Sequence, residues 1–379
     1  MQVETINTTK DFKKLQHTWE KLVENDPFAH IFQTWQWNYC HWIFSKNDTR
    51  KLLILVAKSN DKVVGIAPCY KKRMFCSLNF WVVEFIGTGD SDYMNIVALP
   101  DYRNIAAELF WKYLLETDKQ WSVVNLRCLP HDSSILDFTP HKNTNVTVEE
   151  ECPYIDLNDP EYFQSQSFKK KRIQYKRRLD RDFNVQYEIL TGEIRLKEAI
   201  EYLYELHDQR MDYKGQKGVF QTDLRKKMFF AISKLFSKNS WLKIVTISIE
   251  SKIAAILYIF QFKNCAYYYQ GGFDSDYRSY SLGTITQDIA VTDAKSTGLQ
   301  KFDFLRGNEP YKKRWAKRSQ NIFQVLVFKH NIAKMIFASR QVFMKVLLKL
   351  DSKERLKSVK DILLGMEKNT SKDQKRNEP

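Results

Sequence analysis

A strand, a polar turn and a second strand occur twice in this chain, 190 residues apart. KLLILVAKSNDKVVGIA (51–67) lies over WLKIVTISIESKIAAIL (241–257), with Lys62 on Lys252, Ile54 on Ile244 and Ile66 on Ile256. In each copy an apolar run breaks at a short polar turn and resumes, which is the pattern of a hairpin. The tetrapeptide DSDY also recurs, at 90–93 and 274–277. Either match alone says little. Together, with a similar order of elements around them, they indicate duplicated α/β units.

The remaining elements fit that plan. Phe12, Leu15, Trp19 and Leu22 have helical spacing, and the aromatic run NDPFAHIFQTWQWNYCHWIF reads either as a helix packed into the first core or as an acceptor-side wall. Strands are expected over Leu52–Lys58, Val63–Tyr70 and Asn79–Ile86, followed by GTGDSDY, a helix near 101–117 and a strand near 122–127. The polar stretch 131–150 reads as a linker, and helices near 195–213 and 222–237 lead into the second hairpin. The expectation is a mixed α/β chain of two tandem units, 1–130 and 151–330, then basic amphipathic helices over 331–367 and a disordered tail over 368–379.

Composition narrows the class. Hydrophobic residues make up 43% of the 379 and aromatic residues 14%, with only 12 Gly and 9 Pro, which excludes a disordered or loop-rich chain. The net charge of +15 is unevenly placed: eight Lys/Arg face two acids over 161–181, and thirteen face six over 329–379. A nearly neutral body thus carries two basic segments. The first reads as a solvated face, a dock for an anionic membrane surface, or a tRNA contact. The six cysteines form no CxxC pair and no metal-like grouping with histidine, so reduced structural thiols and no metal are expected. There is no signal-peptide core and no apolar run near the ~20 residues a span needs, which gives the expectation of a cytoplasmic protein, able to lie at the inner face of the membrane.

The densest functional signal is Tyr267–Trp315, and here the halves differ. After its DSDY the second half has RSYSLGT leading into a helix, whereas the first has MNIVALP. Arg278, Ser279, Ser281, Gly283 and Thr284 supply a charge, hydroxyls and a close-approach glycine at a helix start, where backbone N–H groups favour phosphate. A serine-rich turn capping a helix without any ligand has the same appearance. LQKFDFL then alternates as a strand and ends in the polar knot RGNEPY, which reads as a turn held by ion pairs or as an active site.

YYYQGGFDSDYRSYSLGT followed by FDFLRGNEPYKKRW resembles the GNAT-superfamily acyltransferases of the CelD-like, cellulose-biosynthesis-associated type. The duplication resembles that of Fem-type peptidyltransferases, which carry two GNAT-like units. The resemblance covers most of 25–328. It implies that Arg278–Thr284 bind the pyrophosphate of an acyl-CoA, used as co-substrate, and that Gly271 and Gly272 let their strand splay from its neighbour. Ser281 stands where the family's loop has its first glycine, and Leu282 where a small residue or proline is usual.

Acyl transfer to an amine or hydroxyl needs a base, an oxyanion donor and an acid for the leaving thiolate. Asp303 and Glu309 are candidate bases and Tyr311 the candidate acid, while Arg306 and Lys312 are candidates for holding an anionic acceptor. A salt-bridge network of Asp303, Glu309, Arg306 and Arg314 is the plainer alternative. His207 and Arg210, three apart on one helix, line an acceptor cleft or simply pack; Asp92 and Tyr93 reach the same cleft from the first half. The expected function is transfer of an acyl group, acetyl first, to an amine or hydroxyl of a cell-envelope, polysaccharide-related or small-molecule acceptor. The rivals are an aminoacyl-tRNA-dependent peptidyltransferase and a non-catalytic polysaccharide-assembly factor.

Overall fold

The computed structural model describes residues 1–74, 79–160, 166–213, 215 and 218–343. The repeated hairpins are β2 (Arg50–Ser59) with β3 (Lys62–Arg73) and β9 (Leu242–Ile249) with β10 (Lys252–Phe262). Both turn on two consecutive residues of positive φ, Asn60 and Asp61 in one and Glu250 and Ser251 in the other. That conformation matches the right-handed twist of the flanking strands. Each pair also carries a one-residue irregularity at the same place. Val64 is skipped between Val63 and Gly65, and Ala254 between Ile253 and Ala255, again 190 positions apart.

Around these hairpins the halves are built alike. The first adds β1 (Gln2–Ile6), β4 (Trp81–Phe85), β5 (Val97–Ala98) and β6 (Val123–Pro130); the second adds β8 (Val185–Leu190), β11 (Cys265–Phe273) and β12 (Lys301–Asp303). β4 and β6 run parallel, as do β11 and β12. Two long strands, β7 (Thr144–Asp156) and β13 (Arg318–Phe328), lie between the halves and are exchanged: β7 pairs with β12, and β13 with β6. They also pair with each other, so the strands form one mixed sheet in the order β1-β2-β3-β4-β6-β13-β7-β12-β11-β10-β9-β8, with β5 beside β3. Helices over this sheet give a mixed α/β architecture of two similarly built units. Their core is shared: the Trp37 ring of the first half lies 6.2 Å from Phe236 and 5.8 Å from Phe260 of the second.

The exchange corrects the reading of 131–150 as a linker. That stretch holds a short helix, Ser134–Asp137, and the start of β7, because TNVTVE alternates β-branched side chains that suit a strand whatever their polarity. The amphipathic N-terminal segment is two helices, Thr9–Lys14 and Gln16–Asn25, with Thr8 capping the first by accepting from the Asp11 N–H at 3.1 Å. Near 101–117 a 3-10 turn, an α-helix and a π turn follow one another. Residues 331–343 are helical, and the expected continuation to 367 and the tail lie outside the described residues.

Gly271 and Gly272 serve packing. A Cβ on Gly272 would sit 2.7 Å from the Leu206 carbonyl carbon, and one on Gly271 would sit 3.1 Å from the Ile256 oxygen. The helix Leu196–Tyr213 can lie this close to β11 only over glycine. Gly272→Ala is therefore expected to cost about 1–3 kcal/mol by overpacking, read as a lower urea midpoint at unchanged slope.

Candidate functional site

β11 and β12 pair over only three residues, ending at Tyr267 opposite Asp303. Beyond that point β11 runs on to Phe273 without β12, while the chain leaving β12 turns away through Leu305, in left-handed conformation, and Gly307. The divergence opens a cleft of about 440 Å³. Its walls are Tyr268–Gly271 of β11, His207 and Arg210 of the helix Leu196–Tyr213, Trp37 and His41 of the helix Trp35–Ser45, the loop residues Gly89, Asp90 and Asp92, and Phe304, Arg306, Glu309, Tyr311 and Lys312 after β12. The aromatic run of the first half is thus both core and cleft wall.

Three charged side chains of the knot are committed within the protein. Arg306 pairs with Asp92 at 2.6 Å and donates to the Gly89 carbonyl at 2.9 Å, locking the Gly87–Asp92 loop against β12. Lys312, only 4% exposed, donates to the Leu305 and Arg306 carbonyls at 3.3 and 2.6 Å and meets Glu309 at 3.0 Å. Both cations therefore brace the strand end while still lining the cleft, Lys312 almost wholly buried and Arg306 with 23% of its side chain exposed. Gly307 beneath them takes a φ of 118°, a conformation that favours glycine.

Two titratable groups face the cleft in useful states. Burial raises the Asp92 carboxyl to about 7, against the opposing pull of Arg306 and Lys312. Burial, with Tyr268 and Glu309 beside it, pushes the Tyr311 phenol well above its usual value, with Arg210 acting the other way. A carboxylate that titrates near neutrality can act as a base, and a phenol that stays protonated can donate a hydrogen bond to a leaving sulfur, although its raised value opposes full proton transfer. Glu309 also lines the cleft, its side chain 48% exposed.

Asp303 and Tyr93 lie elsewhere, in a sealed network behind the cleft. Asp303 is 0% exposed and accepts from Tyr93 Oη at 2.8 Å and from the Leu305 N–H at 2.8 Å, with Lys301 Nζ at 2.9 Å. Tyr93 accepts from Gln320 and stacks on His30, whose Nδ1 is 3.0 Å from Tyr267 Oη. These residues join the halves and do not line the cleft. His207 packs against Phe220 and is 3.5 Å from the Val219 N–H; Arg210 donates to the Gly271 carbonyl at 3.1 Å.

The loop after β11 lies outside the cleft walls, at the far end of the same strand. Residues Ser275–Tyr280 form a 3-10 turn, Ser281 takes φ 57°, and the helix Leu282–Ser296 begins at once. Ser281 adopts the left-handed conformation that a glycine would take more easily. Its carbonyl accepts from the Thr284 and Ile285 N–H groups, and no side chain caps the helix start. Beside this loop lies the basic helix Gln166–Asp182, with Arg178 4.7 Å over the Tyr280 ring, and Arg172 paired to Asp288 and 4.9 Å over the Trp315 ring. The part of the basic segment at 161–165 lies outside the described residues.

Sequence reasoning missed Asp90, Tyr268 and Tyr269 as cleft residues, and offered the run holding Trp37 and His41 as a wall only as one of two alternatives. Asp90 sits in the repeated DSDY and the tyrosines in YYYQGG, so the signal was present without a direction attached to it.

Residues 167–313, which carry the second-half side of this cleft, match the family model of the acetyltransferase (GNAT) domain. Most of the chain also superposes on solved structures at low identity. FemX superposes with a TM-score of 0.63 at 11% identity over 89% of this chain and 100% of its own. L-PGS from Bacillus licheniformis gives 0.54 at 11% over 86% and 96%, and a conserved protein of unknown function from Bacteroides thetaiotaomicron 0.54 at 10% over 86% and 99%. No curated protein sequence matches the chain significantly. Among the described residues no helix is long and apolar enough to cross a membrane.

Proposed function

We propose that the chain is an N- or O-acyltransferase that uses an acyl-CoA, acetyl-CoA first, on an acceptor of cell-envelope or polysaccharide chemistry. The observation that carries this reading is the divergence of β11 from β12, with Asp92 and Tyr311 at the opening and a helix start at the end of β11. The donor's phosphates meet Arg278–Thr284, and its pantetheine arm follows the freed edge of β11. Asp92 takes the proton from the acceptor nitrogen or oxygen, which bonds to the acyl carbon. The C–S bond breaks while Tyr311 donates a hydrogen bond to the leaving sulfur, which takes its proton from solvent. Asp92 takes the role that Asp303 is too enclosed to fill. The acceptor class rests on the CelD-like resemblance.

The test is thiol release from acetyl-CoA in the presence of amine and hydroxyl acceptors. Tyr311→Phe is expected to lower kcat by ~10²-fold or more at unchanged donor KM, as loss of a transition-state hydrogen-bond donor does. Full turnover in that variant would remove Tyr311 from the mechanism. The basic helix beside the loop, with the Fem-type resemblance of the duplicated sequence, favours a second reading in which the acyl donor is an aminoacyl-tRNA. That reading requires tRNA binding with a steep salt slope and no response to acyl-CoA.

A further inference from the structure

A second cleft, of about 620 Å³, lies on the other side of the Gly87–Asp92 loop. The two share a wall in which Asp90 pairs with Arg225 at 2.5 Å and with the His41 ring, whose Nδ1 is 3.7 Å away. Arg225 begins the helix Asp223–Lys238 of the second half, so the wall is built from both halves. It is thin enough for one ligand to touch both spaces. Gly89, in the loop between them, has nothing within 4 Å of where its Cβ would be.

The chemistry of the second cleft is distinct. Among the described residues Arg50 and Arg225 line it against a single lining carboxylate, Asp90, and the Arg225 side chain remains 43% exposed despite its pair. The Arg50 guanidinium sits 5.2 Å over the Tyr70 ring, and Trp42 adds a second aromatic surface. The His41 side chain is 5% exposed and its Nε2 has no hydrogen-bond partner. Burial lowers this imidazole to about 4, Asp90 opposing and Arg225 and Arg50 adding to the effect, so it is neutral at physiological pH. Two guanidiniums beside aromatic surface suit an anion carried on a ring that can lie flat on that surface, as a sugar's does.

We propose that the second cleft holds the body of the acceptor and that the acceptor is an anionic sugar, its carboxylate or phosphate on Arg50 and Arg225 and its nucleophile reaching past Gly89 to Asp92. This rests on the acyltransferase reading and names the substrate class of the same site. The loop then separates two jobs. Arg50 and Arg225 select the acceptor, and Asp92 activates it.

The test is arginine footprinting of the full chain with phenylglyoxal, read by mass spectrometry, and it needs no turnover. Glucose 6-phosphate and glucuronate are each compared with glucose, and acetyl-CoA is run as a separate arm. The expected result is that one or both anionic sugars slow modification of Arg50 and Arg225 about tenfold, a difference of 1.4 kcal/mol, while glucose does not. Protection by the phosphate alone, the carboxylate alone or both identifies the anion. Arg50→Glu is expected to abolish the sugar's protection of Arg225 and to leave acetyl-CoA's protection of Arg278 intact. The proposal is overturned if neither anionic sugar protects, if glucose protects equally, or if protection of Arg225 survives Arg50→Glu. Failure of acetyl-CoA to protect Arg278 speaks against the acyltransferase reading instead, and leaves the sugar arms interpretable.

Discussion

Asp92→Asn is expected to lower kcat for acyl transfer by ~10²–10⁴-fold, the range for losing a general base, with donor KM unchanged. The wild-type rate should climb with pH up to about 7 and then level, because only the ionised carboxyl accepts the proton and burial holds its titration there. In the variant that limb disappears. The same group has a stability signature of opposite sign. Between its ordinary value of 3.8 and about 7 the unfolded chain releases the Asp92 proton while the folded chain keeps it. Stability therefore falls as pH rises through that window, and the loss is complete above it. The Asn variant should lack this fall. A variant with full activity, or a rate limb that persists in it, would move the base to Glu309.

The second large effect is on folding. Asp303→Ala is expected to destabilise the protein by about 3 kcal/mol, at the low end for a broken buried pair because Lys301 keeps 23% of its side chain exposed. The substitution leaves Lys301 without its carboxylate and Tyr93 without its acceptor in the seam that joins the halves. Asp303→Asn retains an acceptor for Tyr93 and should cost less. Urea midpoints give both values. The Asn variant should also keep its turnover at temperatures where it is folded, and loss of turnover in a fully folded Asn variant would restore Asp303 to the chemistry.

Much of the architecture was legible because it is local. The hairpin at 51–67 and its copy at 241–257 are written in alternating apolar runs and turn residues, and both turns adopt the same positive-φ pair. The exchange of β7 and β13 was not legible. Thr144 pairs with Val327 across a separation that leaves no local mark, and a polar strand beside a polar loop looks like a linker. The glycines of β11 show the same limit: the sequence says that no Cβ fits at Gly272, but only the approach of Leu206 says why.

The site was legible as a set of residues and less so as a set of roles. Asp303 and Asp92 are both carboxylates in motifs next to strands. One faces Tyr93 and Lys301 in a sealed seam, and the other faces a cleft, a difference decided by packing from the opposite half. Arg306 and Lys312 looked like anion ligands because they are cations in a polar knot. Their partners, Asp92 and the carbonyls of Leu305 and Arg306, make them braces.

The most direct measurement is the melting temperature with and without acetyl-CoA, for the wild type and for Arg278→Ala with Gly283→Ala. A Cβ on Gly283 would meet only the Phe273 ring, at 3.7 and 3.8 Å, so the double variant should fold and report on binding alone. Acetyl-CoA at about 100 times its Kd should stabilise the wild type by about 2.7 kcal/mol, raising the melting temperature, and should leave the double variant unmoved. No rise with acetyl-CoA or any longer acyl-CoA, or an equal rise in the double variant, would contradict a donor site at Arg278–Thr284.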